Sequence, residues 1–485
     1  MHLHKKRRVW PIGVVMFLAF LVGAGGYAYY FISHISLDTL VTSEFARSTF
    51  EEFAGDELSD GFELLPTLLG LEEPQTYLFL FLNNTEMRPA GGFLGSYATV
   101  RVDKGHVETL VVEGTESLDR KTPDSWRLPP PAILKEKLGV DRWYFRDGNW
   151  SPDFGESAKT LAVMYGAEGG VAATELDGMI GFTPTVLEEL LRISGPMTIE
   201  GLTFNADNVI EKLEFEVEYG YKDTRSFEQR KALIGLFFEE LITHVKQDVF
   251  SNPGAYMELI ETMLAQKHIM LAMNDAEVQE TVDAHSWGGK IGPYESDTLA
   301  YIDANLAALK TDHAINRHLE YSVTKEGEGY VGVAKMTYEH TGSFDWRTSR
   351  YLSYPRIYVP KGARILSVIG ETNGKQERFA EVDSGEELER TWFGTSIRIE
   401  PGDTMTLTWK YALPQRVQEQ ITEGAYSLDL IKQSGSTNVD VSAILSFEKP
   451  IQDAAPPESR EDWGNNDYTL RRAAFLEDQF ITIEL

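Results

Sequence analysis

The chain has 485 residues, 42% hydrophobic and 25% charged, and this length and composition predict two folded domains. Its net charge is −30, and no strongly basic run follows residue 8. We therefore expect no nucleic acid partner, because the phosphate backbone would be repelled. Cysteine is absent, which excludes disulfides, thiolate metal sites, a cysteine nucleophile and a lipid-modified cysteine.

The first predicted element is a transmembrane anchor over residues 9–31, preceded by a cytoplasmic tail over residues 1–8. The 22 residues from Trp10 to Phe31 include no charge, and as a helix they would reach about 33 Å, enough to cross a hydrocarbon core of about 30 Å. Lys5 to Arg8 precede the run, so the positive-inside rule places the tail in the cytoplasm and the bulk outside. The alternative is a cleaved signal peptide with small residues at 26–28. Under either interpretation the rest of the chain is exported.

The next segments predict a stalk and an α/β domain. Residues 32–72 have apolar residues at helical spacing and predict a helical stalk, and residues 73–315 predict an α/β (α+β) domain. The run TYLFLFLN at 76–83 is typical of a buried strand, and 98–114 predicts two alternating strands joined at 103–106. Helical patterns follow at 157–165, 183–196, 226–249 and 253–273.

The pattern changes after about residue 316. Short alternating segments such as HLEYSV, GYVGVAKMTYEH and TMTLTWKYAL follow one another at close spacing, separated by turns that contain Gly and Pro. This arrangement predicts an antiparallel β-sandwich domain over residues 316–485.

The stretch 83–96 is the densest candidate site, because it directly follows a predicted buried strand. Arg88 offers a guanidinium to a phosphate or carboxylate, and Gly91 and Gly92 let a ligand approach the backbone closely. The alternative is a tight turn in which the glycines adopt unusual dihedrals and Arg88 pairs with a nearby acid.

A second candidate lies at residues 147–153, where Asp147, Asn149, Ser151 and Asp153 place oxygen atoms at every second position, as a calcium loop does. Pro152 stands where that loop needs glycine and Ala158 where it needs glutamate, so we do not expect an EF-hand. A looser divalent-cation site and a turn that caps the following helix remain as alternatives.

The third candidate is a local basic cluster in an acidic chain. Its members precede or begin a predicted helix, whose N-terminus would favour an anion; they are Lys222, Arg225, Arg230 and Lys231. The alternative is a solvated helix end. The ten histidines show no spacing typical of a metal site.

Three motifs together resemble one uncharacterised bacterial family of membrane-anchored proteins with a domain of unknown function. They are N-x-E-x-R-P-x-G-G-F-x-G-S at 84–96, N-W-S-P-D-F at 149–154 and L-D-G-M-I…L-L-x-x-S-G-P at 176–196. The likeness continues through W-G-G-K at 287–290 to about Tyr354. The family brings no established activity.

A more distant resemblance is to the LytR-CpsA-Psr family, membrane-anchored enzymes that transfer glycopolymers from polyprenyl pyrophosphate to the cell wall. It implies that Arg88 and Arg230 act on the pyrophosphate as catalytic residues. Gly91, Gly92, Lys222, Arg225 and Lys231 would complete the phosphate site. A carboxylate, Asp119 or Asp153, would hold Mg²⁺. The aspartate that follows the family's first arginine is replaced here by the Gly-Gly-Phe turn.

Two functions follow from these observations. The first is a single-pass, extracytoplasmic cell-envelope protein that binds or transfers a polyprenyl-pyrophosphate-linked glycopolymer, as a glycopolymer phosphotransferase would. The second is a non-catalytic envelope module that recognises a cell-wall polymer or a protein.

Overall fold

A computed structural model describes residues 61–218, 251–292, 295–458 and 464–485, and positions 236–237, 240–241, 243–245 and 247–249. The predicted tail, the anchor at 9–31 and most of the stalk lie outside these residues, as do Lys222, Arg225, Arg230 and Lys231. Within the described ranges, no helix combines the length and the apolar character needed to cross a membrane.

The first domain is built on a five-stranded sheet with the order β3-β2-β1-β4-β7. Strand β1 pairs antiparallel with β2 and parallel with β4. The strands predicted at 76–83 and 98–114 are confirmed. The strands of this domain, including a separate two-stranded ribbon of β5 and β6, are β1 (Gln75–Asn83), β2 (Phe93–Asp103), β3 (His106–Gly114), β4 (Gly178–Phe182), β5 (Met197–Ile199), β6 (Leu202–Phe204) and β7 (Ile269–Met273).

Strand β1 is apolar from Tyr77 to Leu82 because both of its faces are buried. Tyr77 and Phe79 point into one core, and Leu78, Leu80 and Leu82 point into another on the opposite face of the sheet. Successive side chains of a strand alternate between faces, so a strand covered on both sides needs a continuous apolar run. The end of this strand is therefore held rigidly between two cores.

Helices cover both faces of the sheet. The core that contains Tyr77 also includes side chains of α1, α5, α6, α7 and α8, whereas the opposite core includes side chains of α2 and α4. The helices predicted at 157–165 and 183–196 are confirmed. The helices are α1 (Gly61–Leu68), α2 (Thr115–Asp119), α3 (Ala132–Leu138), α4 (Phe154–Ala167), α5 (Thr185–Ser194), α6 (Val209–Glu218), α7 (Pro253–Ala265) and α8 (Ala276–Ala284).

The helix predicted over 253–273 is wrong in its last part. Helix α7 ends at Ala265, Lys267 adopts a φ of 57°, and the chain continues as strand β7, which pairs antiparallel with β4. The apolar run IMLAM satisfies a helix and a buried strand equally well, and pairing with the sheet edge decides between them.

The C-terminal part is rich in strands, in agreement with the predicted class. It contains two seven-stranded sheets and a two-stranded pair of β11 and β17. One seven-stranded sheet has the order β14-β13-β18-β10-β9-β20-β22, and the other has the order β15-β16-β12-β8-β19-β23-β21. These strands and one helix are β8 (Asp297–Ile302), β9 (Ile315–Glu326), β10 (Gly329–His340), β11 (Tyr351–Ser353), β12 (Arg356–Pro360), β13 (Arg364–Thr372), β14 (Lys375–Arg378), β15 (Asp383–Glu387), β16 (Arg390–Gly394), β17 (Ile397–Ile399), β18 (Thr404–Ala412), α9 (Gln415–Glu423), β19 (Ala425–Ile431), β20 (Val439–Ser446), β21 (Asp453–Ala455), β22 (Asp467–Arg472) and β23 (Gln479–Glu484).

The two seven-stranded sheets share one core, as in a sandwich. Leu299, Ile357 and Leu428 of one sheet lie in the same buried cluster as Leu319 and Trp409 of the other. Each sheet departs from the expected antiparallel pattern at one place, because β8 pairs parallel with β19 and β9 pairs parallel with β20. Strand β8 precedes residue 316, so this sheet takes strands from both sides of the predicted domain boundary.

Candidate functional site

The loop that follows β1 forms a joint between the two parts of the chain. The amide of Asn305 donates to the carbonyl of Met87 at 2.9 Å, and the amide of Asp312 donates to the carbonyl of Thr85 at 3.2 Å. The amide of Met87 in turn donates to Asp312 Oδ2 at 3.0 Å. The loop therefore lies at the carboxyl end of a buried strand, as predicted, and its backbone is bonded to the segment that leads into β9.

Arg88 is buried inside this joint, with 3% of its surface exposed. Its guanidinium donates to the carbonyl of Asn305 and, at 3.2 Å, to Glu86 Oε1, and its Nε lies 3.7 Å from Asp147 Oδ1. It also lies over the ring of Phe93, with 5.1 Å between Cζ and the ring centroid. A phosphate could reach this predicted ligand only if these contacts broke.

Gly91 and Gly92 serve the turn itself. Their φ angles are 106° and 142°, a region that favours glycine. A Cβ on Gly92 would lie 2.4 Å from the carbonyl of Asn83, and the carbonyl of Gly92 accepts a hydrogen bond from Asn149 Nδ2 at 2.7 Å. The 149–154 motif thus contacts the 84–96 motif, an arrangement that their separation in sequence does not reveal.

Gly435 offers a direct test of this close approach. A Cβ there would lie 2.2 Å from the carbonyl oxygen of Gly91, and its φ is 71°. Gly374 has a similar φ of 78° and nothing within 4 Å of the added Cβ, so Gly374→Ala measures the backbone strain alone, about 1–2 kcal/mol. We expect Gly435→Ala to lower the free energy of unfolding by at least about 2 kcal/mol more, measured by urea denaturation. If Gly435→Ala and Gly374→Ala lowered the free energy of unfolding equally, the close contact between Gly435 and Gly91 would contribute nothing to stability.

Asp119, a predicted magnesium ligand, is half of a buried acid pair. Its Oδ2 lies 2.6 Å from Arg146 Nε. Burial raises the pKa of Asp119 to about 6, and burial together with the Asp119 charge raises the pKa of Glu168 to about 8. Two neighbouring buried carboxyls cannot both ionise cheaply, so the pair retains a proton near neutral pH.

Asp153, the other predicted ligand, is the N-cap of α4. Its Oδ1 accepts from the amide of Glu156 and its Oδ2 from the amide of Ile291, both at 3.1 Å. Both carboxylate oxygens of Asp153 thus accept hydrogen bonds from backbone amides, one of them in the first turn of α4. Among the described residues, no group of three or more His, Cys, Asp or Glu side chains could hold a metal ion, and magnesium remains a prediction.

The acid pair predicts a pH dependence of stability. Glu168 holds its proton in the folded protein up to a pKa of about 8, whereas an unfolded glutamate releases it near 4.3. The unfolded chain therefore binds fewer protons between these values, and stability falls as the pH rises through that window. Glu168→Gln should remove this fall and gain on the order of 1–2 kcal/mol over the wild type between pH 5 and 8. Thermal melts across this range would measure it.

The exposed Glu175→Gln is the matched control for that experiment, because Glu175 pairs with Arg101 at the surface. It should leave the slope of stability against pH unchanged. A Glu168→Gln protein with the same slope as the wild type would contradict the shared-proton interpretation.

An acidic cleft of about 760 Å³ opens near the joint. Its walls are α5, α6 and α7, and the loops around residues 311–313 and 437–438 close one side. The carboxylates that line it are Glu188, Glu189, Asp207, Glu211, Glu258 and Asp312. They come from separate segments with no common motif, so sequence analysis missed them; the net charge of −30 was the one available indication.

Among the described residues that line the cleft, the basic groups are neutralised or uncharged, so the carboxylates dominate. Arg347 Nε lies 2.7 Å from Glu214 Oε2, whose other oxygen accepts from Thr85 Oγ1 at 2.6 Å. Burial and the Arg347 charge lower the pKa of His313. Burial lowers the pKa of His268 further still.

Four carboxylates in the cleft form no ion pair with another described residue, whereas Glu189 pairs with Arg192 and Asp312 with Arg317. The four are Glu188, Asp207, Glu211 and Glu258. Burial, with a contribution from Glu189, raises the pKa of Glu188 to about 7. A positive ligand group in the cleft would favour the ionised form of Glu188 and so offset the cost of its burial.

Asn84 lies at the inner wall of the cleft and carries a buried acceptor, Oδ1. Its Nδ2 donates to Thr185 Oγ1 at 3.0 Å and to the carbonyl of Gly435 at 2.9 Å, which fixes the orientation of the amide. Its Oδ1 has no hydrogen-bond partner among the described residues, although Asn84 is only 8% exposed. Asn84 lines both the cleft and a small closed cavity of about 20 Å³. A buried carbonyl oxygen without a donor is costly, and a bound donor would satisfy it.

Aromatic side chains lie beside the cleft. Phe215 is 42% exposed and follows the cleft residue Glu211 by one helical turn on α6. Trp346, next to Arg347, meets Phe215 edge to face with 5.5 Å between ring centroids. Phe344, in the same loop, is 62% exposed. We call these three residues the aromatic rim.

Comparison with known proteins finds a family model that matches part of the chain. Residues 72–217 match the model of a family described as "Protein of unknown function (DUF4012)". This range holds all three motifs that resemble an uncharacterised family, and the match supports that resemblance. No curated protein matches the chain.

Several solved structures share limited similarity. A putative nutrient binding protein from Legionella pneumophila is 10% identical, with a TM-score of 0.26 over 39% of this chain and 70% of its own. Leukotriene A4 hydrolase from Saccharomyces cerevisiae is 10% identical, with a TM-score of 0.20 over 36% and 28%. An M1 zinc metallopeptidase from Deinococcus radiodurans is 12% identical, with a TM-score of 0.18 over 37% and 44%. At these scores the similarities support no conclusion about function.

Proposed function

We propose that this chain is an extracytoplasmic cell-envelope binding protein whose acidic cleft holds a positively charged, hydrogen-bond-donating ligand without chemical turnover. The observation that carries the proposal is the cleft itself. Four of the carboxylates that line it form no ion pair within the described part of the chain, and the buried Asn84 Oδ1 has no donor there. Groups of this kind attract ammonium, guanidinium and hydroxyl groups.

The same electrostatics disfavour the predicted glycopolymer transfer. A pyrophosphate carries several negative charges, and the cleft would repel it. Arg88 is the described arginine that was predicted to bind the phosphates. Its side chain already contacts Asn305, Glu86 and Asp147. The non-catalytic module is therefore the better supported of the two functions that the sequence predicts.

The proposed location rests on the sequence. The uncharged run from Trp10 to Phe31 and the basic residues before it favour a single-pass anchor with the folded domains outside. A cell-wall polymer or a protein of the envelope would be within reach of a cleft held there.

Binding of charged pentapeptides to the full-length protein in detergent micelles tests the proposal. Isothermal titration calorimetry should show that pentalysine binds, more weakly as salt rises, and that pentaglutamate does not. The double variant Glu211→Gln/Glu258→Gln should weaken pentalysine binding about three- to tenfold, because two near-surface charges are removed. Both side chains are exposed, so the fold is kept.

Glu280→Gln, an exposed change on α8 outside the cleft, is the control and should bind like the wild type. Pentaglutamate binding as tight as that of pentalysine, or a double variant equal to the wild type, would contradict the proposal. Binding of polyprenyl pyrophosphate by the wild-type protein would instead support the predicted transferase.

A further inference from the structure

We infer that the cleft and the aromatic rim together bind a glycan that carries free amino groups, an inference that rests on the proposed function. Three kinds of contact point to this ligand: carboxylates for ammonium groups, neutral polar side chains for hydroxyls, and exposed rings for the apolar faces of sugar rings.

The carboxylates are distributed over the cleft rather than gathered at one point. Glu188 lies on α5, Asp207 precedes α6, Glu211 lies on α6 and Glu258 lies on α7. A metal ion would need such groups to converge, and no described cluster does so. A ligand with several separate ammonium groups fits this distribution, because each group can meet a different carboxylate.

Between the carboxylates, the wall is lined by neutral polar groups. They include Thr185, Thr262, Gln266, Asn438 and Asn84, whose Oδ1 has no hydrogen-bond partner in the described part of the chain. Amides and hydroxyls both donate and accept, as sugar hydroxyls do, so they can pair with a polyhydroxylated ligand in many directions. The acceptor of Asn84 is buried, so a hydroxyl or ammonium donor that reaches it gains a bond that solvent does not supply.

The aromatic rim supplies the third contact. Phe344 is 62% exposed and lies in the same loop as Trp346, which meets Phe215 edge to face. Exposed aromatic rings grouped beside a polar cleft are characteristic of binding surfaces. One face of a sugar ring consists of C–H groups and can pack on such a ring, and a neighbouring ammonium gains a cation–π contact.

A basic peptide is the competing ligand, and the architecture favours it less. Extended peptides bind by adding to a free strand edge, but the walls of this cleft are helices. Helical peptides need an apolar groove, whereas the residues here are largely charged or polar. The volume of about 760 Å³ is within the range of ligand pockets, so the cleft would hold a few sugar units of a longer polymer.

A matched pair of oligosaccharides tests the inference. Titration of the full-length protein in micelles with a glucosamine hexamer and its N-acetylated counterpart, at a pH where the amines are charged, should show at least about tenfold tighter binding of the free-amine form. Phe344→Ala should weaken hexamer binding about fivefold and leave pentalysine binding within about twofold. Phe480→Ala is the control and should change neither, because Phe480 is also exposed, at 52%, and lies on β23 outside the cleft.

The outcomes separate this inference from the proposed function. If pentalysine binds and neither glycan does, the cleft takes cationic peptides and the glycan inference is wrong, whereas the proposed function stands. Equal binding of the two hexamers would reject recognition of the amino group. If neither hexamer nor pentalysine binds, the inference and the proposed function both fail.

Discussion

Replacing Arg88 by Met should lower the free energy of unfolding by about 3–5 kcal/mol, because the buried partners of its guanidinium would be left unpaired. The carbonyl of Asn305 would lose its charged donor, and the carboxylates of Glu86 and Asp147 would lose their neighbouring positive charge. Burial already raises the pKa of Glu86, and the Arg88 charge opposes that rise. The variant should therefore be least stable at high pH, where Glu86 must ionise without the neighbouring positive charge.

Urea denaturation followed by tryptophan fluorescence measures this loss. Arg101→Met is the matched control, because Arg101 forms an exposed pair with Glu175 and should lose less than about 1 kcal/mol. Similar losses in the two variants would mean that the Arg88 contacts do not hold the joint. In that case its prediction as a phosphate ligand would regain priority.

A comparable loss of about 3–5 kcal/mol is expected for Arg317→Met, which would leave two buried carboxylates without a counter-charge. Arg317 Nε lies 2.9 Å from Asp303 Oδ2, and its NH2 nitrogen lies 2.5 Å from Asp312 Oδ1. Asp312 also accepts from the amide of Met87, so the effect should reach the joint. A buried aspartate without a counter-charge avoids the cost of its negative charge only by binding a proton. The loss of stability should therefore be smaller at pH 5 than at pH 8.

Thermal melts at both pH values would test this second expectation. Arg398→Met, which removes an exposed pair with Glu400, is the control and should change stability by less than about 1 kcal/mol at either pH. If Arg317→Met lost more stability at pH 5 than at pH 8, this would contradict the interpretation that Arg317 neutralises the buried Asp303 and Asp312.

Local pattern was enough to predict many of the strands. The run at 76–83 is apolar on both faces because two cores cover it, and residues 404–412 alternate because one face of β18 meets the sandwich core. These signals lie within a few residues of one another. The apolar run at 269–273 had no such distinguishing period, and its pairing with β4 is a contact between distant residues.

The candidate site was harder to predict because its chemistry depends on partners far away in sequence. An arginine that binds phosphate and an arginine that closes a domain joint have the same side chain, and only the contact of Arg88 with Asn305 tells them apart. The acidic cleft is likewise assembled from α5, α6, α7 and two loops. Its carboxylates have no fixed spacing, so no motif search could have found them.

The position of strand β23 has a consequence for how the protein is made. β23 pairs with β19 and β21, and β19 pairs with β8, a strand synthesised much earlier. As the chain emerges, β8 has an unpaired edge until β19 has been translated. β19 then has an unpaired edge until β23 has been translated. Unpaired edges of apolar strands attract other chains. Chaperones that cover these edges during synthesis should therefore be more important for the folding of this sheet than for the folding of the first domain, whose strands are complete by Met273.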